Sequence, residues 1–280
     1  TTGTNNTALG NSALFSNTTA SNNTAVGYQS LYANTTGTRN TALGTQALKT
    51  VTTGNYNTAV GYQALELNTG SGNTAVGDQA LEANTSGASN SALGDDALVS
   101  NTAGSYNSAF GESALASNTT ASNNTAVGYY STGANTTGTR NTALGNLSLR
   151  TNTTASDNTS IGYFSMLYNT TGASNTALGS YALQANTTAS YNTAVGYQAL
   201  TSNVTGVENA AFGFRALDVN TASYNNAFGS ETLGANTSGS YNSAFGHAAL
   251  GSNTTASNNT AVGYQSLYSN TTGVDNTAVG

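Results

Sequence analysis

The segment Asn-Thr-Ala-Val-Gly at residues 23–27 decides the fold, because close copies of it recur along the whole chain. Its first residue, here called the anchor asparagine, begins each of seventeen copies in 280 residues. The anchors are Asn6, Asn23, Asn40, Asn57, Asn73, Asn90, Asn107, Asn124, Asn141, Asn158, Asn175, Asn192, Asn209, Asn225, Asn242, Asn259 and Asn276. Fourteen of the sixteen intervals are seventeen residues long and two are sixteen. A fixed period is the signature of repeat architectures, so residues 1–280 are interpreted as a single tandem-repeat domain.

The length of the repeat selects between helical and β architectures. Helical repeats need about 33 residues or more, and seventeen cannot hold two helices and two turns. A glycine and several Asn and Thr residues in each repeat also disfavour a helix. Short strands joined by tight turns fit, with each coil about 4.8 Å from the next. The sequence therefore predicts an all-β parallel solenoid (a β-roll) of about sixteen coils of seventeen residues.

Composition excludes several functional classes. Charged residues make up 6% of the chain, against about 25% in average proteins, and the apolar residues stand at fixed intervals, which indicates a packed core rather than disorder. The absence of Cys excludes a disulfide framework and thiolate zinc sites. Five Lys and Arg residues against eleven acidic ones leave no basic footprint for nucleic acid. No apolar run approaches the roughly 20 residues that span a bilayer, so we expect no membrane insertion in this segment.

The strand pattern predicts a core and a contact face. Successive side chains of a strand point to opposite sides, so Val26 is predicted to face the coil interior with Leu31, and Ala25 to face outward. The predicted core ladder is Val26, Leu31, Leu43, Leu48, Val60 and Leu65. A small apolar residue on an exposed strand face suggests that another surface packs closely against it. The predicted self-association face is Ala25, Ala42, Ala59 and Ala126.

The Asn-Thr-Thr-Gly segment at residues 34–37 is predicted to be the outer turn of the coil. Both sixteen-residue repeats lose their residue here, at residues 68–70 and 220–222, and loops tolerate deletions better than stacked strands. Many of these turns contain an Asn-x-Ser/Thr sequon, which is a glycosylation acceptor in a secreted chain of a glycosylating cell. The candidate acceptors are Asn17, Asn34, Asn118, Asn135 and Asn152.

The chain offers no catalytic constellation, and we expect no enzymatic activity, no cofactor and no metal. His247 is the only His. Asp95 and Asp96 are adjacent, would point apart on a strand, and are interpreted as a solvated corner. A glycan-hydrolysing solenoid needs clustered carboxylates on neighbouring coils, and the eleven acids show no such register. The glycine that ends each strand lacks a phosphate-loop context and is interpreted as the residue that permits a corner.

A tyrosine often follows the strand glycine, and two interpretations stay open. The residues could form an exposed aromatic stripe that binds glycans, or they could simply pack at the corner, which is the favoured interpretation. They are Tyr28, Tyr62, Tyr129, Tyr163, Tyr197 and Tyr264.

The segments at residues 25–30 and 59–64, Ala-Val-Gly-Tyr-Gln-Ser/Ala, resemble the Ala-(Ile/Val)-Gly-x-x-Ala/Ser motif of YadA-like heads. These are the head domains of trimeric autotransporter adhesins. The longer repeat also resembles arrays in bacterial surface proteins and phage-type tail-fibre proteins. The resemblance implies a left-handed β-roll in a homotrimer, displayed on the cell surface or a virion, with Ala25 near the trimer axis. The usual head repeat is shorter, and the Asn-Thr-Thr turn is extra.

We therefore predict an extracellular structural fibre or adhesin segment, a rigid rod whose repeated turns present a multivalent surface. The predicted partners are further copies of the chain and a host-surface or glycan receptor. The copies would form a homotrimer or an open-ended filament, in which unpaired strand edges stack. The alternative is an ice-binding β-solenoid with regular Thr rows. Against it, the Thr pairs lie in the turns that contain the deletions.

Overall fold

The computed structural model describes residues 2–280, which form an all-β parallel solenoid without a helix. The chain forms two compact units, Thr1–Arg140 and Asn141–Gly280. The strands of unit 1 are β1 (Thr7–Leu9), β2 (Thr24–Val26), β3 (Thr41–Leu43), β4 (Thr58–Val60), β5 (Thr74–Val76), β6 (Ser91–Leu93), β7 (Ser108–Phe110) and β8 (Thr125–Val127). The strands of unit 2 are β9 (Thr142–Leu144), β10 (Thr159–Ile161), β11 (Thr176–Leu178), β12 (Thr193–Val195), β13 (Ala210–Phe212), β14 (Asn226–Phe228), β15 (Ser243–Phe245), β16 (Thr260–Val262) and β17 (Thr277–Val279). The predicted fold class is confirmed, and the hand of the coil stays a prediction.

Equivalent residues of neighbouring coils stand opposite each other within each unit. Strands β2 and β3 pair in parallel with Ala25 opposite Ala42. The two sixteen-residue repeats keep this register, with Ala59 opposite Ala75 and Ala211 opposite Ala227. The missing residue is therefore absorbed in the turn, as predicted, and leaves the sheet unchanged.

The coil interior is narrow and holds small residues on its strand side. The strand alanines (Ala25 and its equivalents) are buried from Ala25 to Ala261, and Leu31 and its equivalents fill the interior from the opposite side. Because protein interiors pack without voids, a coil of this size with a leucine on one side leaves room for only a methyl group on the other. In β10 the place is taken by Ser160, whose hydroxyl donates to the carbonyl oxygen of Ser165 at 2.9 Å and accepts a hydrogen bond from the Ser148 hydroxyl at 2.8 Å.

The predicted core ladder is half right. Leu31, Leu48 and Leu65 are completely buried. The prediction is wrong for the strand residues, which lie on the outer surface: Val26, Leu43 and Val60. Alternation along the strand was correct, but the two sides were assigned the wrong way round because the larger side chain was assumed to be the inner one.

The predicted self-association face is wrong for the same reason. Its alanines have no exposed surface even in a single chain, so they cannot touch another molecule: Ala25, Ala42, Ala59 and Ala126. Their small size reflects the narrow interior of their own coil.

The glycine after each strand is required by both conformation and space. Gly27 has φ +131°, a region that L side chains rarely adopt. A Cβ added to it would lie 2.4 Å from the carbonyl oxygen of Gly44 in the next coil. The predicted corner glycine is confirmed.

The anchor asparagines form a buried ladder along each unit. The backbone N–H of Asn40 donates to Oδ1 of Asn23 at 2.9 Å, and Nδ2 of Asn40 donates to the carbonyl oxygen of Gly54 in its own coil at 2.8 Å. Buried polar groups are tolerated when they are hydrogen-bonded. Each anchor therefore ties its strand both to the preceding coil and to the turn that closes its own coil.

The asparagines of the Asn-Thr-Thr turns, here called the turn asparagines, form a second ladder. Nδ2 of Asn101 donates to the carbonyl oxygen of Gly104 at 3.0 Å and to Oδ1 of Asn84 at 2.7 Å. Val51 takes the place of a turn asparagine in one coil, and Oδ1 of Asn34 in the coil before it has no hydrogen-bond partner.

The prediction of glycan acceptors is wrong for the turn asparagines of the inner coils. Nδ2, the atom that would carry a sugar, is hydrogen-bonded inside the coil, while the turn threonines face outward. The asparagines with no exposed surface are Asn34, Asn118, Asn135 and Asn152. Asn17 in the first coil is partly exposed and donates to the carbonyl oxygen of Ala20 at 3.4 Å.

Candidate functional site

The outer surface of the strands carries one large apolar side chain per coil, and this row is here called the ridge. In unit 1 the ridge is Leu9, Val26, Leu43, Val60, Val76, Leu93, Phe110 and Val127. In unit 2 it is Leu144, Ile161, Leu178, Val195, Phe212, Phe228, Phe245, Val262 and Val279. Two residues before each ridge residue stands a residue that is usually Thr or Ser. The ridge and this second row are together called the strand face.

The ridge is exposed in the single chain. Leu43 is 47% exposed and Leu178 is 42% exposed, although each has a coil before it and a coil after it within its own unit. In unit 2 three phenylalanines stack in a line, with ring centroids 4.7 Å apart for Phe212 and Phe228 and 4.9 Å apart for Phe228 and Phe245. Monomeric soluble proteins rarely expose contiguous apolar surface of this kind, and such patches mark interaction sites.

Charge is excluded from the strand face. The chain has sixteen Lys, Arg, Asp and Glu residues. Each of them occupies the place in its coil that is equivalent to Tyr28, Gln29, Tyr32 or Arg39, and these four places are here called the corner. Because the cores of protein interfaces are depleted of charged residues, the division between strand face and corner fits a contact surface beside a solvated one.

The corner of unit 1 gathers acidic side chains on successive coils. Burial raises the pKa of Glu82, and the neighbouring charges of Glu66, Asp96 and Asp78 raise it further. Burial likewise raises the pKa of Asp96, followed by the effects of Asp95 and Asp78. Nζ of Lys49 lies 3.0 Å from Oε1 of Glu66. Within residues 2–280 no group of three or more His, Asp or Glu residues has an arrangement that could hold a metal ion.

The two adjacent aspartates lie in this corner and not on a strand. They follow Gly94, and Asp95 is exposed while Asp96 is half-buried. The predicted solvated corner is therefore confirmed for Asp95 and Asp96.

The predicted tyrosine row lies at the corner with its rings substantially exposed, as Tyr62 is at 48%. In unit 2 the row becomes a continuous stripe of five rings, whose neighbouring centroids lie 4.0–5.9 Å apart: Tyr163, Phe164, Tyr181, Tyr197 and Phe214. Phe164 and Tyr181 were missed from the sequence because they stand one residue later in the coil. The ring of His247 stacks on Tyr264 with centroids 5.5 Å apart, and Tyr28 and Tyr129 are exposed in unit 1.

The ridge was also missed from the sequence, although a signal was present. The strand alanine hardly varies between repeats, whereas its neighbour changes among Val, Ile, Leu and Phe. A close-packed interior does not accept a change from Val to Phe without rearrangement. Variation in size at a constantly apolar position therefore indicates an outer surface.

A comparison of the sequence with protein-family models and with curated proteins finds no match. Among residues 2–280 there is no helix with the length and apolar character needed to cross a membrane. The resemblance to YadA-like heads and tail-fibre arrays stays a prediction that rests on the repeat motif.

Proposed function

We propose that this chain is a segment of an extracellular structural fibre, in which copies of the chain pack side by side through the strand face. The observation that supports this proposal most strongly is the ridge, an unbroken row of exposed or half-buried apolar residues within each unit, flanked mostly by hydroxyl side chains. The two asparagine ladders support the mechanical part of the role. They cross-link each coil internally and to its neighbour, which resists bending and local opening.

The energetics favour contact over many coils. A ridge side chain that is about half exposed gains roughly 1 kcal/mol when it is covered, so one unit gains on the order of 8 to 9 kcal/mol. Association costs an estimated 4–15 kcal/mol in lost freedom of motion. A few coils would not be enough, and a long array gives a stable contact. This provides a physical reason for a chain that repeats one unit so many times.

The resemblance to YadA-like heads and tail-fibre arrays suggests the form of the assembly. Three chains around a common axis would cover the three ridges and leave the corners outside, on a cell surface or a virion. Corners repeated at the coil spacing would then give a multivalent adhesive surface toward a host-surface or glycan receptor. An open-ended filament that uses the same lateral contact is the second form of assembly.

Fluorescence of an introduced tryptophan tests the contact directly, because the chain has no Trp of its own. Phe245 is 42% exposed on the ridge of a single chain, and Tyr168, two residues after the buried Met166, is 53% exposed away from the strand. We expect Phe245→Trp to emit at short wavelength and to resist acrylamide quenching at high protein concentration, and to lose both properties on dilution.

The matched control is Tyr168→Trp, which we expect to be quenched equally at all concentrations. Equal quenching of both variants at every concentration would show that the ridge faces solvent and would overturn the lateral contact.

An ice-binding surface is the second candidate, and one observation favours it. The outer Thr and Ser row of the strand face, which holds twelve Thr and three Ser at seventeen places, contains no deletion. Parallel strands about 4.8 Å apart would repeat these hydroxyls regularly. Against ice binding, the adjacent ridge changes from Val to Phe and breaks the flatness that an ice lattice needs. A thermal hysteresis assay separates the candidates, and no effect at high concentration removes ice binding.

A further inference from the structure

We propose that a groove at the corner of unit 2 binds an uncharged sugar ring. This inference rests on the function proposed above, and it names a ligand class for the exposed corner of the fibre. The groove has a volume of about 440 Å³. Gly234 and Gly251 line the groove. They belong to two successive coils, and each stands at the place equivalent to Tyr32. Small-molecule sites are concave and combine apolar lining with a few convergent polar groups.

An aromatic ring forms one end of the groove. Tyr268 is 44% exposed, and a Cβ added to Gly251 would lie 2.8 Å from the edge of its ring. The ring therefore lies directly against the backbone of Gly251, and it lines the groove. The face of an aromatic ring suits the C–H side of a pyranose, which is flat and apolar.

Three charged groups form the other end. Arg215 binds Oδ2 of Asp218 through Nε at 2.8 Å and through Nη2 at 2.7 Å, which holds both side chains in place. Glu231 also lines the groove, is exposed and receives no side-chain hydrogen bond within the described residues. Carboxylates accept hydrogen bonds from sugar hydroxyls, and a guanidinium donates to their oxygens.

The charge of these groups selects the class of sugar. One guanidinium and two carboxylates leave a net charge of −1 at this end, which disfavours uronic, sialic or sulfated sugars. Arg215 and Asp218 lie three coils before Tyr268, about 14 Å away at the coil spacing. One uncharged sugar ring would therefore stack on Tyr268, and a following unit of the same glycan would meet the charged groups. Phe214, the residue before Arg215, also stacks on Tyr197 with ring centroids 5.8 Å apart. The aromatic stripe therefore ends one residue before the groove residue Arg215, and further units of a glycan chain could lie along it.

The chain contains a natural control for the groove. Residues 16–32 and 252–268 are identical in sequence, so Tyr32 and Tyr268 end identical segments. Phe15 stands before the first segment and stacks on Tyr32, with ring centroids 5.2 Å apart. Gly251 stands before the second segment, so Tyr268 has no ring partner at that place. The groove therefore depends on the missing side chain at Gly251, and Gly251→Phe would recreate a ring pair that this fold already accommodates.

Ligand-observed NMR with the methyl glycosides of glucose, galactose, mannose and N-acetylglucosamine tests the proposal, with glucuronic acid as the charged comparison. We expect at least one neutral glycoside to bind and glucuronic acid to bind more weakly. Both Gly251→Phe and Tyr268→Ala should weaken binding by about tenfold, with circular dichroism showing an intact fold. Tyr32→Ala is the matched control and should leave binding unchanged.

Binding of none of the four glycosides would overturn the proposal. Binding that survives Gly251→Phe and Tyr268→Ala would overturn the assignment to this groove, and preferred binding of glucuronic acid would overturn the uncharged class. The groove lies away from the strand face. A chain that remains monomeric but binds the sugar would contradict only the proposed fibre contact, and an assembled chain that binds none would contradict only the groove.

Discussion

The inner and outer sides of one strand differ in a way that reverses the usual expectation. Ala109 points inward and is completely buried, whereas its neighbour Phe110 points outward and is 39% exposed. In most domains the larger apolar side chain would be the inner one. Here the width of the coil decides, because Leu115 and its equivalents already fill the interior. The inner side is therefore limited by volume, whereas the outer side is free to vary in size.

Overfilling the inner side should have the largest effect. Ala109→Leu forces a larger side chain between the strand and Leu115, where backbone on both sides is held by neighbouring coils. We expect a loss of about 3 kcal/mol or more in the free energy of unfolding, measured by urea denaturation. The outer control, Phe110→Leu, introduces a residue that the ridge already carries at Leu93 and should change stability by less than about 0.5 kcal/mol. Similar losses for the two variants would contradict the assignment of sides.

Breaking the anchor ladder should have the next largest effect. Oδ1 of Asn192 accepts a hydrogen bond from the backbone N–H of Asn209 at 3.0 Å, and its Nδ2 donates to the carbonyl oxygen of Gly206 at 2.9 Å. Asn192→Ala removes both bonds inside the coil, and we expect a loss of about 2–4 kcal/mol in the free energy of unfolding. Thr193→Ala, one residue along and on the outer side, should cost little. A stable Asn192→Ala chain would show that the ladder does not hold the coil.

Repairing an unusual inner residue should give a smaller effect of the opposite sign. Thr132 stands where the other coils have leucine or, once, Met166. It is 1% exposed, and its hydroxyl has no hydrogen-bond partner. Thr132→Val keeps the shape and removes the unpaired hydroxyl, so we expect a gain of about 1 kcal/mol, seen as a higher melting temperature. Thr125→Val on the outer side of the same coil is the control and should give no such gain. Destabilisation by Thr132→Val would indicate that its hydroxyl has a structural role.

The acidic corner of unit 1 should give the smallest effect. The pKa values of Glu82 and Asp96 are raised in the folded chain, so the folded state binds these protons more tightly than the unfolded state does. Their ionisation therefore costs stability at neutral pH. This cost begins to decrease as the pH falls through the raised pKa values, and it is gone only below the ordinary values of 4.5 for Glu82 and 3.8 for Asp96. When the pH is lowered from 7 to 4 at low salt, loss of this cost should raise the melting temperature of the unchanged chain. We expect this rise to be smaller in Glu82→Gln. Glu208→Gln, on the corner of unit 2, is the control, and equal pH profiles for both variants would contradict the cluster effect.

Much of the fold could be predicted from the sequence because a period is visible without structural knowledge. The repeat length, the parallel stacking, the place of the deletions and the inner role of Leu31 follow from it. The inner side of the strand could not be predicted from apolar character alone, because Ala25 and Val26 are both apolar and only the width of the coil separates them. The turn asparagines were misplaced because Asn is usually a surface residue, whereas here Asn34 and its equivalents lie inside the coil.

The native mass by analytical ultracentrifugation at several concentrations tests the ridge contact most directly. We predict a species at three times the 28.0 kDa chain for the unchanged protein. The triple variant Phe212→Thr, Phe228→Thr and Phe245→Thr should shift toward the single-chain mass, whereas Phe15→Thr, Tyr168→Thr and Tyr268→Thr together should not. Growth without limit that the ridge variant abolishes would identify a filament built on the same contact. A single-chain mass at every concentration, or an assembly that the ridge variant leaves intact, would contradict the account.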